Sequence, residues 1–462
     1  MRLSKKIPDL TEGPLFFRLL FFAIPIMLTG LLQVFYNMAD NVIVGKFSGD
    51  SLALAAVGCT GTATSVLLAL IMGVAAGVSI IVSQFYGAKN HEKVSESVHT
   101  AMTFSVIGGA LFCVIGLVIA EPFLVLLGTK PELLSRSLLY FRIICLGIPA
   151  TAIYNFGASI LRATGNSRVP LLILTSTGLS NVLLNLLFVI AFKMSVSGVA
   201  LATILSQYAS AVAVVIFLNT REDASYSLTP KKLGIITEHL KRILLVGVPA
   251  GVQSATYSLG NLCLTAALNT FPTTTVTAVT IANNIDHFML NAVGCFATAC
   301  LTFVGQNYGA KKPKRIKKVI SYTLVQTLIT GLIVGSTMLL LSDGIISFDL
   351  PADTEFYAEI TADVKTIIGI MLYSYIIYAF DGAVNAANKG FGRSMTSMII
   401  GLICICGLRV AWILFAFPHF GTLTALYFIY PVSYATSLAV SSVAFYFIYK
   451  KAKTTVFTAS NE

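Results

Sequence analysis

Twelve times along this chain an apolar run recurs that is long enough to cross a bilayer, which takes about 20 helical residues. The runs fall near 15–44, 51–82, 96–120, 133–158, 169–192, 195–219, 243–270, 275–304, 319–342, 358–385, 395–417 and 421–449, and they leave no stretch for a water-soluble domain. Only 11% of the 462 residues are charged, where a soluble domain devotes roughly a quarter. The first run follows Arg2, Lys5 and Lys6 as a signal peptide would, but it exceeds the roughly 7–15 residues of a signal core and is kept as a span. The sequence therefore predicts an all-α polytopic membrane protein.

The formal charge of +11 invites a nucleic-acid reading, which its distribution contradicts. Of 31 Lys and Arg, 24 lie at the chain ends or in the loops after even-numbered spans, including Lys89, Lys93, Arg162, Arg168, Arg221–Arg242, Lys311–Lys318, Lys389 and Arg393. By the positive-inside rule both termini are cytoplasmic. Anionic lipid is a secondary partner for these basic clusters. The longest opposite loop carries Asp343, Asp349, Asp353, Glu355, Glu359 and Asp363. The eight cysteines all fall in spans without metal-ligand spacing, which reads as packing.

The chain also repeats itself. SQFYGAKN at Ser83–Asn90 returns as GQNYGAKK at Gly305–Lys312, after the second and eighth spans. Pro25 and Asn37 correspond to Pro249 and Asn261, and RATGNS at Arg162–Ser167 to KGFGRS at Lys389–Ser394. This implies two six-helix lobes, 1–219 and 243–462, joined by a polar cytoplasmic linker, 220–242. Six spans is an even number, so the halves enter the membrane in the same direction, with a pseudo-two-fold axis along its normal and substrate expected between them.

In order and duplication these features resemble the multidrug and toxic compound extrusion (MATE) family, in its prokaryotic NorM-like and DinF-like branches. The residues that carry the resemblance are Pro25–Asp40 with YNMADNVIVG, the paired Q-x-x-G-A-K loops, LRATGNS, Asn181-x-x-x-Asn185 and GVALATILSQ. The resemblance implies two six-helix bundles around an outward-open V-shaped cavity, in a multi-pass protein of a prokaryotic inner membrane. It implies a monomeric exporter of organic cations or amphiphiles, exchanged for Na+ or H+, with no cofactor.

Acidic residues inside a bilayer cost about 2.5–3.5 kcal/mol on insertion scales, so each needs a reason. Asp40 shares a face of span 1 with Gln33 and Asn37; Asn181 and Asn185 share one on span 5; Thr203, Ser206 and Gln207 share one on span 6. Hard cations such as sodium prefer oxygen ligands, and the resemblance assigns a cation site to Asp40, Asn181, Asn185 and Thr203. Asn185 departs from the family, which usually has Asp there, leaving one carboxylate rather than two. The alternative for Asn37, Asn181 and Asn185 is interhelical hydrogen bonding alone.

The second half lacks this cluster and instead groups Asn283, Asn284, Asp286 and His287 in span 8. Asp286 either attracts a cationic substrate or a proton, or pairs with Arg409, and His287 titrates near neutral pH when unperturbed. Asp381 is expected to pair structurally with Lys389. Gln33, Phe35, Tyr36, Met38, Tyr257, Phe288 and Met289 are candidates to line a cavity for flat cations. Pro25 and Pro249 are expected to interrupt the first span of each half as hinges.

The sequence holds no G-x-x-x-x-G-K-[ST] loop for ATP and no H-E-x-x-H, so neither ATP drive nor a membrane enzyme is expected. A lipid-linked oligosaccharide flippase is the rival transport reading. Its cavity needs several cations for a diphosphate, and Arg409 is the one clear mid-span base.

Overall fold

The computed structural model describes residues 9–48, 50, 52–221, 224–268, 270–350 and 354–457, and among them it contains no strand. Asp353 and the side chains of Asp349, Asn261 and Asn284 lie outside this description. The helices are α1 (Leu15–Phe47), α2 (Ala53–Gly87), α3 (His91–Leu126), α4 (Pro131–Leu146), α5 (Ile148–Ala163), α6 (Arg168–Leu186), α7 (Val196–Asn219), α8 (Thr237–Leu268), α9 (Thr273–Gly309), α10 (Pro313–Leu340), the short α11 (Ser342–Asp349) and α12 (Tyr357–Gly390). A span from Ser394 to Phe420, π-helical over Gly401–Gly407 and Trp412–Ala416, and a closing helix Leu423–Ala452 complete the chain.

Among the described residues, ten helices are long and apolar enough to cross a membrane, and α4 with α5 makes eleven. Helix α8, with 32 residues, reaches about 48 Å at 1.5 Å per residue, length enough for a twelfth crossing. Large apolar side chains face outward along these helices, such as Val118 at 74% exposure and Leu340 at 83%, as lipid-facing residues do.

The duplication is visible in the backbone. Lys89 and Lys311 both adopt the left-handed conformation, with φ of 56° and 55°, each just past the end of a helix. The bonds around them match pairwise: Asn90 N to Phe85 O with Lys312 N to Asn307 O, and Ala88 N to Gln84 O with Ala310 N to Gln306 O. Gly165 and Gly392 likewise end α5 and α12 with positive φ, the conformation that favours glycine at a helix C-terminus.

Neither first span is interrupted at its proline, since α1 and α8 run unbroken through Pro25 and Pro249. A break falls in the fourth span, where α4 and α5 meet at 45° around Gly147 and Pro149. The residue before a proline avoids helical geometry, and a side chain at Gly147 would collide with Gln207 and Ile204.

The helices form two compact units, Leu28–Ala255 and Thr256–Glu462, and the second also takes Thr11–Met27. These boundaries differ from the halves read in the sequence, since the first part of α1 packs in the second unit and the first part of α8 in the first. Phe16 O accepts from Gln326 Nε2 at 2.7 Å, Thr11 O accepts from Lys312 Nζ at 2.9 Å, and the Phe22 ring meets Phe303 edge-on at 5.6 Å. The segment after α7 also belongs to the first unit and is tied to α3. Thr229 N donates to His99 Nε2 at 3.0 Å, Ile236 N donates to Thr100 Oγ1 at 3.2 Å, and His239 Nε2 meets Glu96 Oε2 at 2.9 Å.

His99 Nδ1 lies 2.7 Å from Ser95 O, which can only accept, so Nδ1 carries the proton and Nε2 is free to accept from Thr229. A neutral hydrogen bond is worth about 1 kcal/mol net. His99→Leu is therefore expected to raise protease nicking between Ala224 and Ile236 about fivefold while leaving the membrane spans uncut. Unchanged cleavage would mean that His99 does not anchor this segment. At the opposite end of the first unit, Arg136 Nε meets Asp50 Oδ2 at 2.6 Å and holds the Asp50 carboxyl below its usual range.

Candidate functional site

Two helices of the first unit, α1 and α6, bring the polar residues together. Asn185, near the end of α6, donates from Nδ2 to Asp40 Oδ1 of α1 at 2.5 Å and to Asn181 Oδ1 at 3.2 Å. Both amide protons are thereby committed. The remaining Asn185 oxygen is buried, with no hydrogen-bond partner among the described residues. Asn185 and Asn181 are 0% and 6% exposed, and Asp40 is half-buried.

The same helices, with α7, build an apolar plug one turn away. Ile43 and Val44 follow Asp40, Val189 follows Asn185 and Val199 precedes Thr203, and all four join Ala53 and Val196 in one core cluster. Helical spacing thus places a carboxylate beside a dry wall, where its charge is stabilised by Asn185 rather than by bulk water. Tyr140 of α4 packs on this cluster within electrostatic range of Asp40. It was not among the sequence candidates, because nothing local marks a tyrosine three helices away.

Among the described residues the other candidates form no hydrogen bond with Asp40 or Asn185. Thr203 donates to Val199 O at 2.9 Å within its own helix; its oxygen keeps the capacity to accept or to ligate. Gln33 and Asn37 are exposed on α1, and no hydrogen bond joins either to the Asp40 carboxylate. Tyr36 lies against Gly178 of α6, where any side chain would overlap its ring, and its hydroxyl donates to Thr175 O at 3.3 Å. Gln207 lines a small cavity at the α4–α5 break with Thr64, Thr151 and Cys145.

A family model, MatE, matches residues 25–187 and 249–414, the two copies of the repeat. The chain belongs to the MatE family. Among curated relatives, the probable multidrug resistance protein YoeA of Bacillus subtilis (strain 168) is 26% identical over 442 residues, covering 94% of each chain. The multidrug export protein MepA of Staphylococcus aureus (strain NCTC 8325 / PS 47) is 25% identical over 401 residues, 85% of this chain and 86% of its own. A crystal structure of MATE in complex with MaL6 matches the fold with a TM-score of 0.89 at 21% identity, over 98% of this chain and 100% of that one. An outward-facing multidrug resistance MATE family transporter of the MOP superfamily matches at 0.88, with 21% identity and the same coverage.

In the second unit of this MatE chain, Asp286 does not form the ion pair with Arg409 that was one of its two alternatives. The two interact through space, but among the described residues no ion pair joins them, and Asp286 Oδ1 is buried with no hydrogen-bond partner. Arg409 is 1% exposed and stacks its guanidinium 4.3 Å from the Tyr430 ring centroid and 5.3 Å from that of Tyr434. These rings disperse its charge in a dry setting. His287 is exposed on α9, and Tyr257 lies within electrostatic range of Arg409 and Asp381. Met289 is corrected from cavity to core: it is 1% exposed and packed with Ile285, Ile368 and Tyr427. Thioether side chains fill irregular gaps, so their presence in a span does not mark a binding face.

Proposed function

We propose that this chain is a secondary active multidrug exporter of organic cations and amphiphiles, driven by Na+ or H+ entering through Asp40. The observation that carries the reading is the Asp40 carboxylate, which holds Asn185 by a charge-assisted bond beside an unpaired, buried amide oxygen. As a MatE member it is a transporter and not an enzyme. The curated relatives carry multidrug resistance and export names over most of the chain's length, which supports the substrate range.

The magnitudes suit a reversible site. A carboxylate in a bilayer costs about 2.5–3.5 kcal/mol on insertion scales, and a hydrogen bond to a charged group returns about 1.5–3. Asn185 therefore roughly balances the charge, so that one cation binds and leaves without a deep trap. A proton neutralises Asp40 directly. A sodium ion is offered the Asp40 carboxylate, the Asn181 and Asn185 carbonyl oxygens and the Thr203 hydroxyl, all hard ligands. Either event weakens the charge-assisted bond between α1 and α6. That gives the two openings of the carrier different cation affinities, which antiport requires.

The flippase alternative is disfavoured by Arg409, the one clear mid-span base, which is enclosed by tyrosines and unavailable to a diphosphate. Ethidium efflux from proteoliposomes under a sodium gradient and a pH gradient, imposed separately, tests the proposal. Acceleration by either gradient is expected and identifies the coupling ion. Efflux indifferent to both would end the antiport reading.

A further inference from the structure

The segment between α7 and α8 is held to α3 by two histidines that the Asp40 mechanism leaves unused. His99 and His239 are 3% and 4% exposed, and their bonding makes opposite demands on a proton. His99 Nδ1 donates to Ser95 O at 2.7 Å while Nε2 accepts from Thr229 N at 3.0 Å, so this ring bonds the segment only when neutral. His239 Nε2 meets Glu96 Oε2 at 2.9 Å, and its Nδ1 meets the Ser97 hydroxyl at 3.0 Å. A carboxylate accepts and a hydroxyl does either, so this second ring keeps both partners when it carries two protons.

No counter-charge is bonded to His99. The charged and titratable groups at this end of the first unit are Tyr86 and Lys89 at the end of α2, Glu92, Lys93 and Glu96 on α3, and Arg162 on α5. The segment adds Arg221, Tyr226, Lys231 and Lys232, and α8 adds Glu238, His239, Lys241 and Arg242. Among the described residues none of these groups is hydrogen-bonded to or ion-paired with His99. Glu96 is engaged by His239, and Lys93 and Arg242 stand over the Phe85 ring at 5.8 and 5.2 Å from its centroid. A proton added at His99 Nε2 would therefore meet the Thr229 N–H donor against donor.

We propose that the His99–Thr229 bond is an acid-released latch. A proton on His99 frees 229–236 from α3, while Glu96 and Ser97 keep hold of His239 at the start of α8 and the buried Tyr226 and Leu228 keep the first part of the segment in place. The sign is fixed by the bonding: a contact that needs the neutral ring is present at higher pH and is lost as the pH falls. The stretch it frees is already solvent-facing and carries Lys231 and Lys232, so its release exposes no apolar core. The transporter thus has a pH-responsive joint in the segment between its sequence halves, separate from the carboxylate at Asp40.

The test uses the purified full chain in detergent and follows proteinase K nicking within 229–236 by mass spectrometry. Each rate is divided by that of a free peptide of the same residues, which removes the pH response of the protease itself. The wild-type rate is expected to rise at least about fivefold from about pH 7.5 to about pH 5.5, because the lost bond is worth about 1 kcal/mol and cleavage follows the open population. His99→Gln, whose amide donates and accepts without titrating, is expected to give a slow rate at both pH values, and His99→Leu a fast rate at both. His239→Gln is expected to keep the rise. A wild-type rate indifferent to pH, a rise that survives in monodisperse His99→Gln, or a rise lost in His239→Gln overturns the latch. The wild-type and His239→Gln results decide the matter if the His99 variants fail to fold.

Discussion

Proteoliposomes carrying Asp40→Asn are expected to lose gradient-driven ethidium efflux by about a hundredfold or more while the protein stays monodisperse. The charge that binds and leaves at Asp40 is worth about 2.5–3.5 kcal/mol in a bilayer, and each 1.4 kcal/mol is a factor of ten in an equilibrium. Removing it takes roughly two powers of ten from the difference between the two openings. The fold is spared because asparagine has the same shape and its oxygen still accepts from Asn185 Nδ2. Asn185→Asp probes the same geometry from the other side. Two carboxylates as close as these side chains cannot both ionise, so they would share a proton. That variant is expected to keep transporting while efflux gains a steeper dependence on pH. Full response of Asp40→Asn to whichever gradient drives the wild type would remove the engine proposed here.

Spacing gave the helix faces of the candidate residues, and the family resemblance grouped them into one site. Asn181 and Asn185 are one turn apart on one helix, and the structure joins them to each other and to Asp40. Periodicity gives the face a residue occupies but not which of its two polar atoms is used. The donor role of Asn185, and the carbonyl it leaves over, thus emerged only with α1 and α6 in place. The same limit applies to Met289, since core and cavity faces of an apolar helix have the same composition in a membrane. Asp381 was read against Lys389, its neighbour along the chain. Its bonded partner Ser437 lies on another helix, beyond the reach of local pattern. The prolines of α1 and α8 were read as breaks because they remove a backbone donor. Both helices nevertheless continue, and the fold bends at Gly147, where the fourth span makes room for Gln207.

The helix crossing that seats the first part of α8 in the first unit provides the largest expected effect on stability. Gly73 and Gly77 on α2 face Gly247 and Gly251 on α8, each pair at i and i+4, and small residues at this spacing let membrane helices approach backbone to backbone. A Cβ at Gly73 would overlap the Cα and N of Gly251; at Gly77 it would stand 2.6 Å from Ile243 O; at Gly247 it would stand 2.7 Å from Val74 Cα. Backbone atoms cannot rotate aside as side chains do. Gly73→Leu is therefore expected to exceed the about 1–3 kcal/mol typical of over-packed cores and to abolish monodisperse protein, with Gly73→Ala already strongly destabilised. The crossing is not symmetric, because a Cβ at Gly251 meets Leu70 Cα at 3.2 Å, a separation that a small shift of one helix relieves. Among the described residues Gly58, on the same α2, has nothing within 4 Å of an added Cβ, so its alanine variant gains helix propensity of up to about 1 kcal/mol. Unfolding midpoints in detergent should then rank the alanine variants Gly58 highest, Gly251 next, Gly77 and Gly247 lower and Gly73 lowest. Equal midpoints across the series would show that α2 and α8 do not meet at this distance in the membrane protein. The first part of α8 would then be free to pack with the second unit, as the sequence halves alone suggest.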